Sequence, residues 1–326
     1  MKKIAVLNEF SIEAVRDVLQ KLEDFPKLVV NGLNAFQLNE IKKIDPLLFN
    51  SIGKKIEEGR WFPEVGLWCG ENEKISDERL IRNVLYSAEF FKDNFGKKFR
   101  VFHCDTICNN ALAQIVYNAE FDACYIKDEK EAFWLDGAAD SRTLVSGELD
   151  TVDVNDITDD FINENDFGSI EDEVIGMYKL PLDLKTCRPD YEASQPAQAE
   201  KLLLDAEKIE VQNGENLSGE IKNLWLKLFM GEDVTDEAEK LIGGRKADEK
   251  FLRIDTDEAQ LSEMKFAEDG SGDVVIRIKE TAGTEKTLFV MCDPLDAGFR
   301  CEILPYEIQT FRIDKDGFVK EIFIVE

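Results

Sequence analysis

His103, Cys104, Asp105 and Cys108 fall within six residues of one another and bring an imidazole, two thiols and a carboxylate to one place in the chain. Such groups build metal centres and nucleophilic sites. A zinc centre made from them needs further ligands, and no second cluster and no Cys-x-x-Cys pair elsewhere in the sequence supplies any. Nor does His103 serve as a base for the adjacent thiol, because successive residues of a strand point to opposite faces. The carboxylate is the stronger candidate. Phe99 to Phe102 reads as a short apolar strand, and it delivers Asp105 to its carboxyl end, where open α/β sheets and barrels carry their chemistry.

The elements that must hold Asp105 in place are readable on both sides of it. Upstream, Ser76 can cap a helix, Asp77 and Glu78 complement the positive end of its dipole, and Gly96 can end it. Leu80, Ile81, Val84, Leu85, Ala88, Phe91 and Phe95 form its apolar face at helical spacing. Downstream, a helix through Leu112, Ile115 and Val116 precedes a strand from Phe121 to Ile126. The chain opens with a strand from Lys3 to Leu7, followed by a helix that Ser11 can cap. Lys27 to Val30 reads as the next strand, Phe36 to Ile44 follows it, and Pro46 fits the first turn of a helix through Ile56. This alternation predicts an α/β domain over residues 1–147.

Beyond it the character of the chain changes twice. From Glu148 to Glu173 there are eleven acidic residues and no lysine or arginine, and their spacing does not match a twelve-residue calcium loop. An acidic, solvated linker over 148–176 is the expectation. Met177 to Leu184 reads as a strand and Pro189 to Gln195 as a turn, and helices then start at Pro196 and Ser218. Their apolar faces, including Leu203 and Ala206 on one and Trp225 and Phe229 on the other, predict an antiparallel pair within a helical middle segment, 177–245. From Gln260 the hydrophobic period falls to two. Strands are predicted at Val274–Lys279, Lys286–Cys292, Arg300–Leu304, Ile308–Ile313 and Val319–Val325, in a C-terminal β-domain over 260–326.

With 68 acidic against 40 basic residues in 326, the formal charge is −28, which repels phosphate backbones and anionic membrane surfaces. Nucleic acid and membrane are therefore excluded as partners. Seven scattered cysteines suit a reducing cytoplasm. The apolar run after Met1-Lys2-Lys3 is too brief for a signal-peptide core, and no run is long enough to span a bilayer.

Gly59-Arg60-Trp61 with Pro63, Gly66 and Trp68, then Leu80-Ile81-Arg82 with Phe90-Phe91 and Phe95-Gly96, then Asp105 with Gln114-Ile115, stand in an order that resembles the α-mannosidases of glycoside hydrolase family 38. Phe133-Trp134-Leu135-Asp136-Gly137 and Ser141-Arg142-Thr143-Leu144 continue the resemblance. It returns in Met264 to Gly270, in Ile276-Arg277-Ile278, and in Pro305 to Arg312, which look like the family's closing β-domain. It implies a multidomain α/β plus β fold: a partial (β/α) barrel-like N-terminal domain, a short helical bundle segment and a C-terminal β-sandwich-like domain. It also implies that Asp105 is the nucleophile of a retaining mechanism and a zinc ligand, with an α-mannoside as the carbohydrate partner; beside it, Trp61 and Trp68 either offer a surface for sugar stacking or belong to the core, and Glu71 is a further substrate-side candidate.

Departures from the family's pattern temper that picture. Glu13 and Arg16 match a family helix, but no His-x-Asp pair precedes them, and His103 is the single histidine of the chain. Cys69-Gly70-Glu71 stands where the family carries Glu-Pro-Asp, and the acidic stretch occupies the place of the segment bearing the general acid. A catalytic zinc needs three or more protein ligands converging on one point. The expectation is an α-mannosidase-like protein, catalytically degenerate, with a sugar- or partner-binding role and no resident cofactor. The alternative is an active retaining α-mannosidase that uses Asp105 and zinc. Self-association is compatible with either.

Overall fold

The computed structural model describes residues 2–71, 74–127, 129–147, 149–179, 184–188 and 195–323. In chain order the first part runs β1 (Ile4–Val6), α1 (Ile12–Asp24), β2 (Val30–Asn31), α2 (Ala35–Ile44), α3 (Pro46–Glu57), β3 (Trp61–Phe62), α4 (Asp77–Phe95), β4 (Val101–Cys104), α5 (Leu112–Asn118) and β5 (Ala123–Ile126). Then come β6 (Phe133–Asp136), β7 (Arg142–Ser146), β8 (Thr151–Asp153), α6 (Asp159–Glu164), α7 (Ile170–Tyr178) and β9 (Thr186–Cys187). Local chemistry sets the ends as the sequence predicts. Ser11 accepts from the Ala14 amide, Ser76 accepts from the Arg79 amide, and Gly96 closes α4 with φ 58°. Only glycine adopts that left-handed turn without steric cost.

The strands form two sheets, ordered β3-β2-β1-β8 and β4-β5-β7-β6-β9, in which all neighbours are parallel except β6 against β7. The sheets are joined by a parallel bridge between Gly66 and His103. One face carries Ile4, Val6, Val101, Ala123 and Leu144, all buried together with Ile170, Val174 and Ile175 of α7. Short parallel strands of this kind need apolar cover, and α7 supplies it on that face.

This overturns the reading of 148–176 as a solvated linker. Thr151, Val152 and Asp153 pair in register with Ile4, Ala5 and Val6, and Lys3 forms an ion pair with Asp150. The Lys21 ammonium donates to the carbonyls of Val154 and Ile157. Asp156, Asp159, Asp160, Glu164, Asp166 and Asp172 are exposed while Val154, Ile157, Ile162 and Ile170 are buried, so charge composition hid an amphipathic pattern. Met177 and Tyr178 end a helix and do not begin a strand. The predicted turn at 189–195 lies almost wholly outside the described residues.

The middle of the chain has three helices, α8 (Gln198–Asn213), α9 (Ser218–Phe229) and α10 (Thr235–Ile242). The third, which no reading of the sequence had placed, is a two-turn helix closed by Gly243 at φ 61°. Leu203, Trp225 and Phe229 share one buried cluster with Leu85, Tyr86 and Phe90 of α4, so the three helices pack onto the α/β part and have no core of their own. The last part begins earlier than Gln260, at β10 (Leu252–Ile254), and continues with β11 (Ala259–Phe266), β12 (Val274–Glu280), β13 (Lys286–Cys292), β14 (Ala297–Ile303), β15 (Ile308–Ile313) and β16 (Val319–Ile322). Sheets β10-β13-β14 and β11-β12-β15-β16 are antiparallel and bury Leu288 and Val290 of one with Ile276, Ile278 and Phe311 of the other. The architecture is mixed α/β with several sheets and helices.

Charge buried between these parts ties them together. Arg82 of α4 is buried and donates to Glu207 of α8 at 2.8 Å and to Glu263 of β11 at 2.5 Å, with Glu268 at 3.4 Å. Arg277 of β12 reaches back to Glu78 of α4 at 2.8 Å, and Lys279 pairs with Asp77. Burial pushes Glu207 well above the ordinary carboxyl range. Burial also opposes ionisation of Glu263, but the Arg82 and Arg277 guanidinium groups outweigh it and hold this carboxyl down. The pair therefore favours one negative charge over two, and the guanidinium groups draw it towards Glu263. Replacing Arg82 by Met should cost about 3–5 kcal/mol, because it removes the hydrogen-bonded partner of the buried Glu263 carboxylate and leaves Arg277, 4.0 Å away, as a weaker one. Urea unfolding of the variant should show a loss of unfolding free energy of that size, seen as a lower midpoint, and a wild-type midpoint would refute the assignment.

Candidate active site

Asp105 follows the last residue of β4 and lines a cavity together with Asn34, Glu64, Leu67, Gly70, His103, Cys104, Tyr125 and Lys127. Two glycines make the close approaches that build it. Gly66, at φ 151°, bridges to His103, and a Cβ added there would lie 2.6 Å from the His103 carbonyl oxygen. Through the same bridge the His103 amide donates to the Val65 carbonyl at 2.8 Å. This fixes Pro63-Glu64-Val65 alongside β4 and brings Glu64 to the cavity that Asp105 lines. The second glycine, Gly70, lies so near the carboxylate that an added Cβ would fall 2.1 Å from Asp105 Oδ2. Asn34 caps α2 in a reciprocal capping box with Gln37, so its place in the wall is rigid.

Electrostatics distinguish the two carboxyl groups. Burial, and then the nearby Asp105, push the Glu64 carboxyl up to about 7, against the opposing pull of Lys127. Burial lowers His103 to about 4, so the imidazole is neutral at physiological pH, and its ring lies 5.7 Å from that of Tyr125. The Tyr125 phenol is pushed up to about 12 by burial and by Glu64. Glu64 was not singled out from the sequence. It lies two residues past β3, and nothing in the local sequence marks it.

The other expected site residues stand elsewhere. Trp61 is fully buried and donates its Nε1 hydrogen to the Gly32 carbonyl at 3.0 Å. Trp68 is also buried, edge-on to Phe90 with ring centroids 5.7 Å apart. Neither exposes a face on which a sugar could stack, so of the two readings of these tryptophans the burial favours the core. Glu71 is buried in a two-pronged bond from Arg79, at 2.8 and 2.9 Å, and accepts from Asn83 at 3.1 Å. Its carboxylate is engaged in holding α4 and does not line the cavity, so its substrate role is corrected too. Of the four residues expected at a site, Asp105 alone faces the cavity.

Zinc is the group the resemblance implies. Among the described residues, no three His, Cys, Asp or Glu side chains stand where they could hold a metal ion together. Near Asp105, the Cys104 thiol is buried in contact with Cys124, and the His103 ring lies against that of Tyr125. His103 is the chain's one histidine. Among the described residues, the donors do not make up the three-ligand set of a catalytic zinc site.

Residues 9–129 match the family profile described as the glycosyl hydrolases family 38 N-terminal domain. Among solved structures, the chain is similar to a glycosyl hydrolase family 38 protein from Enterococcus faecalis, at 12% identity and a TM-score of 0.54, covering 95% of this chain and 54% of that one. It is equally similar to an α-mannosidase from Enterococcus faecalis, at 12% identity and a TM-score of 0.54, covering 96% of this chain and 56% of the other. The chain thus spans about half the length of these two structures. No curated protein matches it. The chain resembles the glycoside hydrolase family 38 α-mannosidases, in the N-terminal match and in fold.

The raised Glu64 carboxyl has a sign that can be checked. The folded state binds this proton more tightly than the unfolded chain, where the group titrates near 4.5. Its contribution to stability is therefore full below pH 4.5 and lost as the pH rises through about 7. Glu64→Gln should flatten that part of the pH–stability curve and exceed wild type at pH 8 by on the order of 1–3 kcal/mol. A variant whose curve keeps the wild-type slope between these pH values would show that Glu64 is not the titrating group.

Proposed function

We propose that this chain is an α-mannosidase-like protein that retains the family's architecture and its nucleophile position without zinc-dependent hydrolysis. On this reading, the two N-terminal sheets are part of a (β/α) barrel and the two C-terminal sheets a sandwich. The observation that carries it is the size of the cavity at Asp105, about 40 Å³. That is well below the roughly 300–1,000 Å³ of small-molecule sites. The donor set and the burial of Trp61 and Trp68 support the same reading. The role left is recognition of a carbohydrate, an α-mannoside by resemblance, or of a protein partner, including a second copy of the chain. A reducing, cytoplasmic setting accords with cysteines that are all unpaired, and no helix among the described residues is long and apolar enough to cross a membrane.

A second reading is favoured by one specific observation. Glu64 and Asp105 line the same cavity, and a retaining glycosidase needs two carboxyl groups there, one ionised and one carrying a proton near neutral pH. In that case Asp105 attacks the anomeric carbon of a terminal α-mannoside and Glu64 protonates the departing oxygen, in a cavity that opens on substrate binding.

One assay separates the two. Hydrolysis of an aryl α-mannoside is measured for wild type, Asp105→Asn and Glu64→Gln, each with and without added zinc or cobalt. The first reading expects all three proteins to match the uncatalysed rate with or without metal. Turnover that falls at least about a hundredfold in both variants establishes the second. Metal-dependent turnover lost in Asp105→Asn would overturn the first reading and the conclusion that zinc does not fit.

A further inference from the structure

A larger cavity, of about 450 Å³, lies where the end of α4 meets the end of α5, and it shares no residue with the one at Asp105. Its volume is in the range of small-molecule sites. Phe99, Phe121 and Phe323 line it, and Lys92, Lys97 and Lys98 stand around them. Phe323 is 59% exposed although it is a large apolar side chain. The charge here runs against that of the whole chain. Between Phe90 and Arg100 there are four basic residues and a single acidic one, Asp93, in a protein of net charge −28.

Part of that charge has a structural use. Lys92 lies in the last turn of α4, where a cation complements the helix dipole, and Lys98 is paired with Glu120 at 2.8 Å. Lys97 lies beyond Gly96 and outside the helix, with its ammonium 4.8 Å from the centre of the Phe62 ring and 5.3 Å from that of Phe99. It is held by aromatic faces at the cavity wall. An apolar cavity with ammonium groups at its edge suits a ligand that has an apolar body and one negative charge.

We propose that this cavity binds a small anionic amphiphile, a monocarboxylate carrying an alkyl chain or an aryl group, with its apolar part among Phe99, Phe121 and Phe323 and its charge between Lys92 and Lys97. This site is independent of any chemistry at Asp105.

The test is a fluorescence titration of the full chain with anilinonaphthalene sulfonate, an amphipathic anion, followed by displacement with decanoate, decanol or decylammonium. Decanoate should displace the dye at a concentration at least about tenfold below that needed for either of the others. The double variant Lys92→Glu, Lys97→Glu should weaken dye and decanoate binding by about tenfold or more. Phe323→Ala, at an exposed position that does not threaten the fold, should weaken both as well, while Phe318→Ala, 73% exposed and outside the cavity, should not. Equal competition by decylammonium overturns the proposal. So does wild-type affinity in Phe323→Ala, or loss of binding in Phe318→Ala alone.

Discussion

Arg82 is the residue on which the arrangement of the chain depends most. It is buried, it belongs to the helix that leads into the candidate site, and its guanidinium meets carboxyl groups from α8 and β11. Its planar face also lies 5.9 Å from the centre of the Trp225 ring. A guanidinium out of water is costly unless its hydrogen bonds are met by well-placed acceptors. The requirement fixes how the α/β part, the middle helices and the β-domain sit against one another, since each contributes a member. Gln114 of α5 adds a second tie, exchanging two hydrogen bonds with the backbone of Ile308 in β15. A chain of half the length of its structural neighbours thus holds its ends together by specific polar contacts as well as by apolar burial.

The same helix links this network to the cavity. α4 carries Glu78, Arg79, Arg82 and Asn83 along its buried side, and Asn83 Oδ1 accepts from the Trp68 amide at 2.5 Å. That bond and the Glu71–Arg79 pair set the Leu67 to Glu71 segment, which places Gly70 against Asp105. Residues quoted for the family resemblance therefore act here mostly as supports. Glu71 and Trp68 shape the wall from behind, and Glu64 is the group that shares the interior with Asp105.

Local signals in the sequence were reliable where one physical rule dominated. The caps of α1 and α4, the proline start of α3 and the strands Lys286–Cys292 and Ile308–Ile313 were readable because capping geometry and period-two burial act over a few residues. In the acidic stretch the high density of charge obscures the spacing of Val154, Ile157 and Ile162, the residues that are buried there. The short α10 and β10 carry too few residues for a period to show. Asp105 was legible from its place after a strand. Glu64 was not, because its partnership with Asp105 arises from the bridge between Gly66 and His103, 37 residues apart, a contact that no local pattern encodes.

The position of β1 constrains how the chain can be made. Ile4 to Val6 lies between Val30 and Asn31 on one side and Thr151 to Asp153 on the other, so β1 is an interior strand whose second neighbour emerges some 150 residues later. Until then one edge of β1 is open, with unpaired backbone groups beside apolar side chains. On a ribosome working at about 5–20 residues per second, that interval lasts on the order of ten seconds. The nascent protein must pass through it with a sheet edge exposed, and the dense negative charge arriving with residues 150–173 repels like chains at the moment that edge is finally closed.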